Sequence, residues 1–448
     1  MKAHCALALI SLSLAVASCG GGSSSGGPGD GGTQSAQFMA VAWNDLGMHC
    51  LNPTYDKAVV LPPFNTVWAQ VIRLGNPPEV VTTGLTVEYA IENNTYSYGK
   101  REYGQFWDYA VALFGPVLGL TDLPHDEGLA GAHLSGQMIV AGDHFVVTGI
   151  PVTPVDDNGH WDPFQVVRIT VKGSQGETIA QTRATVPTSD EMNCSKCHGA
   201  QAFANVLAEH DTNRGTTLAE SAPVLCAGCH GSPALGLTGP GTSGKYLSQA
   251  MHTKHAGSGA ACYDCHPGAV TKCQRSLRHT AEDGNCTTCH GDLATVGGSI
   301  PSQRIPWVNE PACATCHTGV AEVATGGALY RNSAGHGGVY CEGCHGSPHA
   351  MVPSREDSDN YQALQYQGFT GKVKTLGSCG VCHESSRGGG GDLLAAAASA
   401  GRSAYEDDFA EHHGGTNPEK RIGCHMCHTA LSTDYARWPH AYQWNNSN

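Results

Sequence analysis

One arrangement of reactive side chains recurs eight times in this 448-residue chain: two cysteines two residues apart, followed at once by a histidine. The sets are Cys194, Cys197 and His198; Cys226, Cys229 and His230; Cys262, Cys265 and His266; and Cys286, Cys289 and His290. They continue with Cys313, Cys316 and His317; Cys341, Cys344 and His345; Cys379, Cys382 and His383; and Cys424, Cys427 and His428. The spacing lets both thiols add to the two vinyl groups of one porphyrin as thioethers, with the adjacent imidazole under the iron as proximal ligand. At this chain's Cys and His frequencies, chance supplies about 0.05 such matches. The pattern therefore predicts eight covalently attached haems c. Zinc sites also use paired cysteines but need no His after every second one. Iron–sulfur clusters use tighter cysteine runs. A disulfide framework has no reason to repeat one spacing with a trailing His.

An iron that only relays electrons needs both axial positions filled, whereas a catalytic haem keeps one open. Residues 189–448 hold ten further histidines: His210, His252, His255, His279, His336, His349, His412, His413, His425 and His440. Eight distal ligands are needed, so the supply suffices. His425 sits inside its own motif and cannot ligate that haem, which leaves the other nine as the candidate distal set. His412 and His413 are neighbours that point in different directions on a helix. Met251 and Met351 are alternative soft ligands that would raise a potential.

The elements that must position these ligands differ sharply along the chain. Residues 189–448 average about 32 residues per haem, too few to wrap each porphyrin separately. Mostly coil and short helices are expected there, organised around closely packed haems. One longer helix is expected from Asp392 to His412, on its Ala and Leu content. Residues 37–188 carry no Cys pair and read as an all-β, sandwich-like domain. Thr66–Leu74, Leu85–Ile91, Phe145–Ile150 and Phe164–Val171 are β-branched and aromatic runs separated by Gly, Pro, Asn and Asp. Val167, Ile169 and Val171 share one face, opposite Val166, Arg168 and Thr170. Outside the motifs, Cys50 and Cys273 are the two cysteines that an oxidising compartment could bridge.

Residues 1–18 read as an export signal: a polar start at Lys2 and His4, then an apolar stretch (Cys5–Ala17) too short to span a bilayer. Its end, Val16-Ala17-Ser18-Cys19, matches the lipoprotein pattern in which Cys19 becomes the lipidated first residue; simple cleavage after Ala17 is the competing reading. Residues 19–36 form a flexible Gly/Ser tether. The expectation is an exported protein, an outer-membrane lipoprotein or cell-surface protein, or otherwise a periplasmic or extracellular one. A formal charge of −14 argues against nucleic acid as a partner.

With its attachment motifs and the stretch Cys344–Ala350 (CHGSPHA), the chain resembles the multihaem c-type cytochromes of dissimilatory metal-reducing bacteria. Trp43–Cys50 (WNDLGMHC) and Asp190–His198 (DEMNCSKCH) add to the resemblance less specifically. It implies bis-His haems and delivery of electrons to other cytochromes, minerals or partner cells, in extracellular electron transfer or anaerobic respiration. Some relatives of that kind polymerise into filaments with a ligand donated by the next subunit, so a homo-oligomeric, filament-forming conductive subunit is one alternative, against which the lipid tether argues. The leading expectation is a non-enzymatic electron conduit. The alternative is a multihaem oxidoreductase acting on a nitrogen or sulfur oxyanion. Some of those enzyme families replace the motif's His with Lys at the catalytic haem, and all eight motifs here end in His.

Overall fold

The computed structural model describes residues 37–75, 78–268, 270–279, 286–309, 311, 313, 329–367, 373, 375–376 and 381–382. The export signal, the tether, Cys19 and the helix expected over Asp392–His412 lie outside the described residues. Strands arise where β-branched and aromatic residues alternate with polar ones. They are β1 (Phe38–Asn44), β2 (His49–Cys50), β3 (Ala58–Val59), β4 (Asn65–Arg73), β5 (Glu79–Val81), β6 (Thr86–Ile91) and β7 (Ser135–Gln137). The series continues with β8 (Ile139–Ala141), β9 (His144–Ile150), β10 (Val166–Lys172), β11 (Thr178–Thr185), β12 (Thr188–Ser189) and β13 (Val224–Leu225). Four of these coincide, within two residues at each end, with the runs expected from sequence.

Two antiparallel sheets share one core. The first runs β1-β4-β9-β8, with β5 also on β4; the second runs β11-β10-β6-β7. Only Met138 separates β7 from β8, and there the chain passes from one sheet to the other. Ala40, Ala42, Val67, Ala69 and Phe145 of the first sheet meet Val87, Tyr89, Val167, Ile169 and Val171 of the second. Along β10 the burial alternates as the pattern requires: Val167, Ile169 and Val171 are buried and Arg168 is exposed.

The expectation of an all-β region needs correction. A 14-residue helix, α1 (Gln105–Leu118), lies within it. Its buried residues Phe106, Trp107, Ala110, Leu113 and Phe114 fall at helical spacing and pack on Tyr55 and Val59. Each fully buried large side chain contributes about 1.5–3 kcal/mol. Together they outweigh Pro116, which sits in the last turn. Gly119, at φ 71°, then ends the helix by donating its N–H to Gly115 O.

Beyond Ser189 the helices are short: α2 (Ser195–His198), α3 (Ala202–Arg214), α4 (Leu247–His255), α5 (Cys286–His290), α6 (Leu293–Ser299), α7 (Cys341–His345) and α8 (Tyr361–Gln367). At thirteen residues, α3 is longer than the sequence led us to expect. None of the described helices is long and apolar enough to cross a membrane.

The strand-rich region is built into the motif-bearing one. β12 pairs in parallel with β2 five residues before Cys194, and β13 pairs in parallel with β3 immediately before Cys226. The outer face of the first sheet (Met39, Val41, Trp43, Ile72) packs on Val339, Tyr340, Cys344 and Tyr366. From α8, Tyr366 and Gln362 bond the backbone of Ala40 and Ala42. That covers the otherwise open edge of β1. Cys50 and Cys273 are half-buried free thiols, and burial is the main cause that pushes both upward in pKa, Cys273 to about 12.

Candidate functional site

In the five motifs that are fully described, a single turn of helix brings the three reactive groups to one side. In the first three motifs, the backbone N–H of His198, His230 and His266 donates to the carbonyl of the leading cysteine, at 2.9, 3.0 and 2.9 Å. In the fourth and sixth, α5 and α7 span the motif from first Cys to His. Residues i, i+3 and i+4 of a helical turn lie on one face, so two thiols and one imidazole are presented together, as attachment of a single porphyrin would require.

Four motif histidines each face a second imidazole. Ring centres are 6.4 Å apart for His198 and His255, and 6.4 Å for His230 and His210. They are 6.0 Å apart for His266 and His252, and 6.2 Å for His290 and His349. The ring planes are inclined by 78°, 80°, 23° and 31° respectively. These separations are too long for stacking contact and suit a metal in between. A metal–imidazole bond is about 2.0–2.1 Å, and a ring centre lies about 1.1 Å behind its nitrogen, so two imidazoles on opposite sides of one ion stand about 6.2 Å apart. Among the described residues, no group of three or more His, Cys, Asp or Glu converges as a metal site. The histidine donors come as opposed pairs.

In six of these eight imidazoles the other ring nitrogen is also bonded. Nδ1 of His252 and of His255 donates to the carbonyls of Ser248 and Met251, each at 2.7 Å and four residues back on α4. His198 Nδ1 bonds Asn205 Oδ1 at 2.7 Å, and His210 Nδ1 bonds Thr216 Oγ1 at 2.9 Å. His230 Nδ1 meets Ser243 Oγ at 2.8 Å and Lys245 O at 3.2 Å, and His349 Nδ1 donates to Leu46 O at 3.0 Å. A carbonyl only accepts, so the proton is on Nδ1 and the Nε2 lone pair is left for a metal. Metal-bound imidazoles are ordinarily held in this way.

Electrostatics point in the same direction. Desolvation by the surrounding protein pulls the pKa of His266 and of His349 down to about 4, although His266 keeps an exposed edge. Burial likewise lowers His230, His252 and His290. Each is held in the neutral form that binds metal.

The motifs also crowd one another. The thiols of Cys262 and Cys286, from successive motifs, are hydrogen-bonded. Burial pushes the Cys226 thiol up to about 11, with the neighbouring Cys194 adding to the shift. Cys194 also lies among the groups that raise Cys265.

The remaining site residues fall as follows. Cys197, Cys229, Cys265 and Cys289 are exposed; Cys313, Cys341, Cys344 and Cys382 are half-buried. His345 closes α7, and His279 stands in an exposed turn. His336 is described in its backbone alone. Cys316, His317, Cys379, His383, His412, His413, Cys424, Cys427, His428 and His440 lie outside the described residues. Sequence reasoning missed the groups that hold Nδ1. The two on α4 follow from the four-residue helical repeat. Leu46, Asn205, Thr216 and Ser243 carry no such local signal.

Residues 303–384 match the family model described as cytochrome c7 and related cytochrome c. That span carries the motifs led by Cys313, Cys341 and Cys379. Residues 303–384 are thus a cytochrome c7-like domain, which supports haem c as the cofactor and electron transfer by a multihaem cytochrome. No curated protein and no solved structure shows a significant match.

Proposed function

We propose that the protein is an electron conduit of eight haems c, one on each Cys-x-x-Cys-His motif, with His198, His230, His266, His290, His317, His345, His383 and His428 as proximal ligands. The observation that carries this reading is the set of four imidazole pairs spaced 6.0–6.4 Å apart. In it His255, His210, His252 and His349 are the distal ligands of the first four haems. His279, His336, His412, His413 and His440 supply the distal ligands of the others. Haem bound in this way provides a one-electron iron couple with no open position for substrate. The protein's own contribution is to aim both imidazoles at one point from opposite sides.

Residues 37–188 and 189–448 serve as the β-sandwich-like and octahaem domains. The chain is exported and lipid-anchored through Cys19, at the outer membrane or cell surface. There it exchanges electrons with other cytochromes or extracellular acceptors, in the manner of the metal-reducer lipoprotein cytochromes it resembles. The test is a low-temperature EPR spectrum of the fully oxidised full-length protein, with haem counted by mass. Eight haems, all low-spin, are the expected result. One high-spin iron would move an oxyanion reductase ahead of the conduit, and a count below eight would overturn the motif assignment.

A further inference from the structure

The turn between β1 and β2 closes on the stretch that ends in His349. Ser347 Oγ donates to Asn44 O at 2.5 Å, His349 Nδ1 donates to Leu46 O at 3.0 Å, and Arg275 Nη1 donates to Gly47 O at 2.7 Å. The backbone N–H of Arg275 donates in turn to His349 O at 2.7 Å. At Gly47, φ is +74°, and a Cβ would stand 3.0 Å from Ser347 Cβ and 3.3 Å from His349 N. The approach is therefore as close as glycine allows.

The turn is itself braced. Asn44 Oδ1 accepts from the N–H groups of Leu46 and Gly47, and its Nδ2 donates to Asn65 Oδ1 and Thr66 O. Arg275 is locked by two bonds to Asp359, at 2.8 and 3.0 Å, with both side chains buried. Among the paired imidazoles, the others with a bonded Nδ1 use partners four to fifteen residues away in sequence. His349 alone reaches back 303 residues, into the strand-rich region.

We propose that the turn Asn44–Met48 is a positioning device for His349, through which the strand-rich region sets the orientation of that imidazole and the potential of the haem carried by His290. The proposal rests on the reading that His290 and His349 share one iron. An acceptor on Nδ1–H makes the ring a stronger donor to iron. A stronger donor favours the ferric state, so loosening the Leu46 contact moves that haem's potential upward. The sequence stretches around Trp43–Cys50 and Cys344–Ala350 thereby acquire a joint role: one supplies the cradle and the other the ligand it holds.

The experiment compares four variants of the full-length haem-loaded protein by EPR and by potentiometric titration. His349→Ala tests the ligation, and is expected to turn one haem's worth of iron high-spin. Gly47→Ala forces the turn away from Ser347 and His349. Ser347→Ala removes one clamp bond with little steric change and stands in where Gly47→Ala fails to fold. Gly142→Ala, at φ +73° with nothing within 4 Å of its Cβ, carries similar backbone strain away from any close contact. The expected result is that Gly47→Ala and Ser347→Ala each shift one component of the titration to higher potential and alter one low-spin signal, with Gly142→Ala matching the wild type. The positioning role is overturned if His349→Ala yields high-spin iron but neither clamp variant moves any component. A uniform shift of all components, or general haem loss, overturns it as well, since the turn would then only support the fold. If His349→Ala leaves every haem low-spin, the ligand assignment itself fails.

Discussion

His252 and His255, three residues apart on α4, face different motif histidines: His252 stands 6.0 Å from His266, and His255 stands 6.4 Å from His198. One nine-residue helix thus holds the second imidazole of two pairs belonging to two motifs. Each ring is fixed through Nδ1 to a carbonyl one turn back. A displacement of α4 would be felt at both sites together.

Single substitutions on α4 are accordingly expected to act on separate irons. His252→Ala should turn one haem's worth of iron high-spin, His255→Ala should do so for a different one, and the double variant should show two. Carbon monoxide binding to the reduced protein, counted per chain, is the check. Ala is the best helix former, so the helix should persist. A double variant with no more open iron than either single one would mean that the two rings do not serve two haems.

The ring inclinations carry an EPR expectation of their own. Two imidazoles bound to one iron compete for the same pair of d orbitals. When their planes are aligned, those orbitals split and the low-spin ferric spectrum is rhombic; when crossed, the splitting cancels and the spectrum becomes highly anisotropic. His198 with His255 and His210 with His230 are crossed, at 78° and 80°. His252 with His266 and His290 with His349 are nearer alignment, at 23° and 31°. His255→Ala should therefore remove a highly anisotropic signal, and His252→Ala a rhombic one. The reverse assignment would contradict the geometry.

In the strand-rich region, Lys100 is buried, and its Nζ reaches Asp157 Oδ1 at 2.8 Å, Asn94 Oδ1 at 2.9 Å and Val155 O at 3.2 Å. Burial pushes the Asp157 carboxyl upward, but bonds from Lys100 and Thr95 outweigh it and hold the pKa below the usual carboxylate value. The folded state then binds this proton less readily than the unfolded chain. Its stabilisation is full above about pH 4 and fades as pH falls through the lowered value. Asp157→Asn leaves a buried ammonium with neutral acceptors only, and should cost about 2–4 kcal/mol at pH 7. Urea unfolding of the strand-rich region at a series of pH values is the measurement. The gap between variant and wild type should narrow toward pH 3, and a constant gap would sink the assignment.

Much of this architecture can be read from local pattern. Val167, Ile169 and Val171 alternate with polar neighbours, so β10 and its buried face follow directly. A helical turn that gathers two thiols and an imidazole follows from Cys-x-x-Cys-His alone. α1 leaves no clear local signal because its aromatic and branched residues also suit strands, and a Pro within the run, Pro116, is disfavoured in a helix interior. The pairing of imidazoles was out of reach for a different reason. His255 precedes Cys262 by seven residues yet faces His198, and His349 follows the Cys341 motif yet faces His290. Such pairing is decided by where whole elements dock, and the parallel contacts of β12 with β2 and β13 with β3, more than a hundred residues apart, leave no local trace.

The pair formed by His210 and His230 offers the cleanest change of ligand without change of fold. His210 lies on α3, where Met is as acceptable a helix former as most residues. Its Nδ1 contact is to Thr216 Oγ1, and that hydroxyl is also held by Asp211 at 2.6 Å, so the neighbouring loop keeps its anchor when the ring is gone. A thioether is a weaker donor to ferric iron than imidazole and raises the potential. His210→Met is expected to move one component of the redox titration upward by on the order of 0.1 V, within the roughly 0.8 V range that axial ligands control. All irons should remain low-spin. A high-spin iron instead would mean that the sulfur falls short of the metal while His210 is still a ligand. A titration identical to the wild type would mean that His210 and His230 share no iron, whatever their 6.4 Å separation.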